Sequence, residues 1–161
     1  MTAIEELLKR HQEQDRVTRE TPAPPALHTA ILTCMDARIN PAEVFGLGHG
    51  EAHVLRNAGG VVTDDVIRSL ALSQHALGTT EVIVMQHTAC GVSSVTEDGF
   101  KDQLEQACGL RPTWSVEAFR EVTDSVRRSV QRVRRSPYLP HTDNVRGFVY
   151  DIHTGDVTEV E

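Results

Sequence analysis

The stretch ILTCMDARIN, residues 31–40, joins an apolar run to a group of polar side chains. The apolar residues that lead to Cys34 predict a short buried strand over 28–34. Beyond its end, Asp36 and Arg38 follow Cys34 at alternate positions. The stretch therefore predicts a strand whose carboxyl end carries a thiol, a carboxylate and a guanidinium.

Strand-like and helix-like segments alternate along the rest of the body. Further strands are predicted over 52–57, 81–87, 146–152 and 157–160. Helices are predicted from Asn40-Pro41, over 64–77 between Thr63 and Gly78, over 96–107, and from Ser115 to about Arg135. Strands that alternate with helices indicate an α/β fold with a mainly parallel central sheet flanked by helices. The HTGD turn before the last strand predicts a C-terminal antiparallel edge strand.

The N-terminal part differs from this body. Residues 1–20 predict a helical arm, and its thin apolar stripe consists of Ile4, Leu7 and Leu8. Such a helix needs another surface to be stable. The segment TPAPPA, 21–26, predicts an extended linker, because proline fixes its own φ and restricts the preceding residue. Arm, linker and the body over 27–161 are expected to form a single domain.

The composition excludes several classes of function. The formal net charge is -7, so non-specific affinity for nucleic acid or for an anionic membrane is not expected. No apolar run reaches the roughly 18 residues that a membrane-spanning helix needs. Three cysteines are too few for a disulfide framework in 161 residues. The sequence therefore predicts a cytoplasmic protein whose thiols are free for metal binding or catalysis.

Candidate metal ligands lie at the ends of two predicted strands. Cys34 ends the first, His87 ends the strand over 81–87, and Cys90 follows three residues later in HTACG. In parallel sheets, binding and catalytic residues lie at the carboxyl ends of the strands. Two thiolates and one imidazole are a ligand set that zinc prefers. Three protein ligands leave a fourth position open, for which Asp36 and a water molecule are both candidates. Cys108 falls in a polar helix and is expected to be a free thiol.

Three motifs together resemble the β-class carbonic anhydrases. They are C-x-D-x-R at 34–38, RNAGG at 56–60 and H-x-x-C-G at 87–91. The resemblance is detailed from about 28 to 92, and the short chain is similar to the small archaeal and actinobacterial members of the family. It implies that one zinc ion per chain is held by Cys34, His87 and Cys90.

The resemblance implies reversible hydration of carbon dioxide to bicarbonate and a proton by zinc-bound hydroxide. Asp36 pairs with Arg38 and can accept a hydrogen bond from the hydroxide, while Arg38 keeps the carboxylate ionised and oriented. Without Arg38, Asp36 can turn onto the zinc as a fourth ligand and close the site. Gly91, whose N–H can reach a bicarbonate oxygen, and Gly59, in the turn beside the metal, are the candidate substrate-binding residues.

Two other functions remain open. The first is a zinc hydrolase of the same fold that acts on carbon disulfide or carbonyl sulfide. The second is a non-catalytic regulatory protein in which Asp36 permanently closes the zinc site. Arg38 argues against the second, because a structural ligand needs no orienting base.

The expected partners follow from the arm and from the resemblance. Because the arm has little to pack against in its own body, we expect it to lie across a second subunit in a homodimer, and dimers can pair into tetramers. Carbon dioxide and bicarbonate are the expected small-molecule partners, and neither nucleic acid nor a membrane is expected.

Overall fold

The computed structural model of the protein describes residues 2–14 and 20–161. The helices in these residues are α1 (Ala3–Glu13), α2 (Pro41–Phe45), α3 (Asp64–Leu77), α4 (Glu97–Cys108) and α5 (Val122–Arg134). The strands are β1 (Thr29–Cys34), β2 (Ala52–Asn57), β3 (Glu81–His87), β4 (Val145–Tyr150) and β5 (Val157–Val160). Short 3₁₀ turns at Ala58–Gly60 and Gly91–Ser94 follow β2 and β3.

The described strands form one sheet in the order β2-β1-β3-β4-β5. The first four are parallel, and β5 pairs antiparallel with β4 at the edge, so the predicted fold class is confirmed. In the register of the central strands, Leu32 pairs with Leu55 on β2 and with Val84 on β3. The chain leaves β1 toward β2 on one side and returns to β3 on the other. The crevice between the carboxyl ends of β1 and β3 is therefore the topological switch point, where open α/β sheets bind their ligands.

Helices α3 and α5 cover one face of the sheet and form the main core. Leu70 of α3 and Val126 and Val133 of α5 are fully buried against Leu32 and Val84. Each such side chain contributes about 1.5–3 kcal/mol through removal of its apolar surface from water. This core fixes the two central strands, and the strands in turn fix the residues at their carboxyl ends.

The predicted helix caps agree with the structure. Asn40 accepts a hydrogen bond from the Ala42 amide at 3.2 Å, and Thr63 accepts one from Val66 at 3.4 Å. Gly78 ends α3 in the left-handed conformation with φ 72. The bounds of the strands and of α3 and α4 differ from the predicted ones by at most two residues, whereas those of α1 and α5 differ by more.

The predicted helix from Ser115 is wrong in its first part, because α5 begins only at Val122. Ser115 does cap locally, since its side chain accepts from the Glu117 amide at 3.2 Å. Glu117 then has a φ of 57, which a right-handed helix cannot contain. Residues 115–121 therefore form an irregular segment ahead of α5.

Tertiary contacts explain this irregular segment. The carboxylate of Glu97 on α4 accepts from the Val116 amide at 3.0 Å, which holds the segment away from a helical path. Phe119 is then buried, with 5% of its surface exposed, in the cluster that contains Cys34 and Cys90. A Cβ built on Gly59 would lie 3.1 Å from the Phe119 ring, so the ring packs directly on this glycine. Burial of one aromatic ring thus overrides the local helix signal.

The predicted N-terminal arm is present in part. Helix α1 starts with a capping box between Thr2 and Glu5 and ends at Glu13. The predicted continuation over 15–19 lies outside the described residues. In the part of the chain that the structure describes, α1 contributes no buried residue. Among the same residues, no helix combines the length and the apolar character that crossing a bilayer requires.

Candidate metal centre

The three predicted ligands meet at the crevice between β1 and β3. Cys34 is the last residue of β1 and His87 the last residue of β3. The chain then turns through Ala89, whose φ is 51, and brings Cys90 back toward the sheet. The Cys34 sulfur, the Cys90 sulfur and a ring nitrogen of His87 all lie within 4.8 Å of one another, and all three residues are buried. Cys108 is exposed and lies outside this cluster.

The tautomer of His87 leaves one nitrogen free for a metal. Its Nδ1 lies 2.8 Å from the Thr88 carbonyl oxygen and donates to it, so the lone pair is on Nε2. Nε2 is buried and has no hydrogen-bond partner among the described residues. An unpaired buried polar atom is costly, and a metal ion at this position would satisfy it.

The two thiols also fit a metal. Their sulfur atoms lie 3.9 Å apart. The hydrogen bond from Cys90, together with the backbone amides of Asp36 and Gly59, lowers the pKa of Cys34 well below its usual range. The same contact, together with burial, raises the pKa of Cys90, because a second thiolate would lie beside the first. A bound cation would remove the repulsion between two neighbouring thiolates. Two sulfurs with one imidazole nitrogen are a donor set that zinc prefers.

Asp36 and Arg38 form a tightly bonded pair beside the cluster. The backbone N–H and the Nε of Arg38 both donate to Asp36 Oδ1 at 2.9 Å, and Nη2 donates to Oδ2 at 2.7 Å. These bonds hold the pKa of Asp36 well below its usual range. Arg38 also donates to the Ala89 carbonyl oxygen at 3.1 Å, which ties the pair to the loop that carries Cys90. Asp36 Oδ2 lies 3.8 Å from His87 Nε2, so the carboxylate faces the ligand atoms while it is bonded to Arg38.

The RNAGG turn packs against the cluster at the Cys34 sulfur. The Asn57 side chain accepts from the Val61 amide at 3.0 Å and donates to the Val61 carbonyl oxygen at 2.8 Å, which brackets the turn. Gly59 and Gly60 have φ values of 83 and 62, where glycine is favoured. The Gly59 amide donates to the Cys34 sulfur at 3.3 Å. The turn therefore holds the candidate ligand Cys34 directly through its backbone.

The two glycines predicted to bind substrate differ in burial and in their contacts. Gly59 is buried, and its amide contacts the Cys34 sulfur. Gly91 is exposed at the start of the 3₁₀ turn after Cys90, and a Cβ built there would meet nothing within 4 Å. Gly91 thus has open space beside it. Substrate binding by either glycine stays a prediction.

Two residues near the cluster were not assigned a role from the sequence. Phe119 packs on Gly59 but falls in the segment that was predicted as helix, and no sequence signal marks it. Arg56 belongs to RNAGG, and its side chain reaches the carbonyl oxygens of Cys34 and Asp36. The RNAGG motif drew attention to Arg56 near the end of a predicted strand, but the sequence does not show that this strand lies beside β1.

Comparisons with known proteins agree with this geometry. A family model described as carbonic anhydrase matches residues 29–122. Beta-carbonic anhydrase 1 of Mycobacterium tuberculosis is 49% identical over 139 residues, which cover 86% of this chain and 85% of that protein. The crystal structure of a carbonic anhydrase from Streptococcus mutans superimposes with a TM-score of 0.92 at 38% identity and covers 100% of this chain and 99% of that one. A carbon disulfide hydrolase of Acidithiobacillus thiooxidans is 31% identical over 146 residues, which cover 78% of this chain and 73% of that protein.

Proposed function

The chain belongs to the β-carbonic anhydrase family, and on this basis we propose that it catalyses the zinc-dependent, reversible hydration of carbon dioxide to bicarbonate and a proton. The observation that carries the proposal is the buried Cys34–His87–Cys90 cluster with an unpaired Nε2 that faces the Asp36–Arg38 pair. These three ligands would hold one zinc ion per chain. The cysteines of the chain are free thiols, which fits the reducing cytoplasm as its location.

Zinc and the protein's own residues would supply different parts of the reaction. Bound zinc lowers the pKa of water and supplies a nucleophile near neutral pH. Asp36 is ionised throughout this range, and an ionised carboxylate only accepts hydrogen bonds. We infer that Oδ2 accepts a hydrogen bond from the attacking water species and directs its lone pair toward carbon dioxide. Arg38 holds the carboxylate in place through three hydrogen bonds, and the Gly91 amide is available to bicarbonate.

Carbon disulfide hydrolysis is the second candidate function, because a relative with that name covers 78% of this chain. Initial rates with carbon dioxide, carbon disulfide and carbonyl sulfide, measured on one zinc-replete preparation, separate the candidates. The higher identity to a β-carbonic anhydrase favours carbon dioxide as the substrate with the highest kcat/KM. A zinc-replete protein that hydrolyses carbon disulfide but leaves carbon dioxide unchanged would replace the first proposal with the second. If none of the three reacts, the non-catalytic alternative is supported.

Arg38→Ala is expected to lower kcat for carbon dioxide hydration by about ten- to a hundredfold. The substitution removes two of the three donors that orient the Asp36 carboxylate and frees it to turn toward His87, whose Nε2 is 3.8 Å away. Stopped-flow rates at known zinc content test this. Arg127→Met, which removes an exposed guanidinium on α5 that pairs with Asp124, is the control and should keep the wild-type rate. An Arg38→Ala enzyme with full kcat would show that the pair does not orient the reaction.

We also propose that the protein is a homodimer in which each α1 packs on the partner. Helix α1 exposes its apolar stripe, with 71% of Ile4, 61% of Leu7 and 57% of Leu8 accessible to solvent. Strand β2 is an edge strand of the sheet and presents Val54, which is 44% exposed. An apolar stripe on a separate arm and an uncovered sheet edge are surfaces that a second copy can bury.

Replacing Ile4, Leu7 and Leu8 with serine is expected to raise the dimer dissociation constant by at least about tenfold, since each buried side chain contributes to association. Sedimentation velocity over a micromolar concentration range measures this. The control substitutes serine for Lys9 and Glu13, an exposed ion pair on the same helix, and should leave the dimer intact. A monomeric wild type at micromolar concentration would contradict the proposal, and a tetramer that needs α1 would extend it.

A further inference from the structure

Arg56 connects the ends of two neighbouring strands. In the register of β1 and β2 it pairs with Thr33. Its Nε donates to the Cys34 carbonyl oxygen at 2.9 Å, and its Nη2 donates to the Asp36 carbonyl oxygen at 2.7 Å. The planar guanidinium thus bridges the carbonyl groups on the two sides of Met35 with a fixed fork of donors.

Cys34 has other contacts that hold it in place. It is still part of β1, where it pairs with Asn57, and the next amide, that of Met35, donates to the Asn57 carbonyl oxygen at 2.8 Å. Its sulfur accepts from the Gly59 amide. The ligand position of Cys34 therefore does not depend on Arg56.

Asp36 lies beyond the last residue of β1, and its other hydrogen bonds are local. Its carboxylate is bonded to Arg38, and its carbonyl oxygen accepts from the Ile39 amide at 3.1 Å. These two contacts lie within residues 36–39, and the Asp36 amide also faces the Cys34 sulfur. Arg56 ties this unit to the sheet, and the contact of Arg38 with the Ala89 carbonyl oxygen ties it to the loop of Cys90.

We propose that Arg56 is a positioning residue that clamps the Asp36–Arg38 unit to the end of the sheet, so that the Asp36 carboxylate stays directed at the ligand atoms. The proposal rests on the proposed function, because the direction of this carboxylate matters only where it orients a reacting molecule. If Arg56 acted through its charge alone, for example by attracting bicarbonate, its positive charge would be needed but the arrangement of its N–H donors would not.

Arg56→Met and Arg56→Lys separate these roles, with Arg127→Met as the control. Arg127 is also exposed and also donates to a main-chain oxygen, that of the last residue, Glu161, at 2.8 Å. We expect Arg56→Met to lower kcat about tenfold with KM and zinc content unchanged, since a small displacement of an orienting group is costly. Arg56→Lys keeps the charge but offers a single nitrogen, so its kcat should stay closer to that of Arg56→Met than to that of wild type.

Hydrogen exchange of the zinc-loaded protein gives a readout that does not depend on turnover. The peptide that covers residues 33–40 should exchange several-fold faster in Arg56→Met and at the wild-type rate in Arg127→Met. Unchanged exchange in this peptide would overturn the clamp, as would full recovery of kcat by Arg56→Lys or a loss of zinc that accounts for the fall in rate. If wild type itself does not hydrate carbon dioxide but the peptide still exchanges faster in Arg56→Met, the proposed function fails and the clamp remains.

Discussion

Cys90→Ser is expected to lower zinc content from about one to below about 0.1 per chain and carbon dioxide hydration by about a thousandfold or more. A serine hydroxyl does not ionise near neutral pH, so the site keeps one thiolate and one imidazole. The Cys34 and Cys90 sulfurs lie 3.9 Å apart, and a cation is what allows both to be thiolates. Because metal binding is coupled to folding, the melting temperature should fall as well.

Cys108→Ser is the matched control for this substitution. Cys108 is exposed and lies outside the cluster, so its replacement should change neither zinc content nor rate. Metal analysis and stopped-flow hydration on the same samples compare the two variants. A Cys90→Ser protein with full zinc content would show that the metal is held elsewhere.

Gly60→Ala is expected to lower the free energy of unfolding by about 3–5 kcal/mol, an effect in the range of severe core substitutions. A Cβ at this position would lie 2.9 Å from the backbone of Thr33 and Cys34 and 3.0 Å from the Met85 carbonyl oxygen. These atoms belong to the two central strands and cannot move aside as a flexible side chain does. With φ at 62, the alanine would also be strained.

Gly109→Ala separates conformational strain from steric overlap. Gly109 ends α4 with a φ of 76, and a Cβ there would meet nothing within 4 Å. Its replacement should cost about 1 kcal/mol through backbone strain alone. Urea unfolding of both variants measures the difference. Equal costs at the two positions would show that Gly60 is needed for its φ and not for the close approach of β1 and β3.

The positions of the three candidate metal ligands were predictable because each depends on where its own strand ends. Strand β3 reads as an apolar run that ends at His87, and β1 ends at Cys34 in the same way. Once both strands are parallel neighbours, their carboxyl ends must meet at one edge of the sheet. The motif H-x-x-C then needs only a short turn to bring Cys90 to the same place.

The features that could not be predicted are tertiary. Residues 115–121 carry a helix signal, but the contact of Glu97 with the Val116 amide and the burial of Phe119 on Gly59 override it. The contact of Arg56 with two carbonyl oxygens of the neighbouring strand depends on strand order and register, which one sequence does not give. In both cases a contact between distant parts of the chain decides the local structure.

Titration of metal-stripped protein with zinc shows whether the Cys34–His87–Cys90 cluster holds a catalytic zinc ion. We expect the rate of carbon dioxide hydration to rise linearly with added zinc and to reach its plateau at about one equivalent per chain. Cys90→Ser, titrated in parallel, should show no such rise. Full activity of the metal-free wild type, or a fully loaded wild type that does not hydrate carbon dioxide, would show that the protein is not a zinc-dependent carbonic anhydrase.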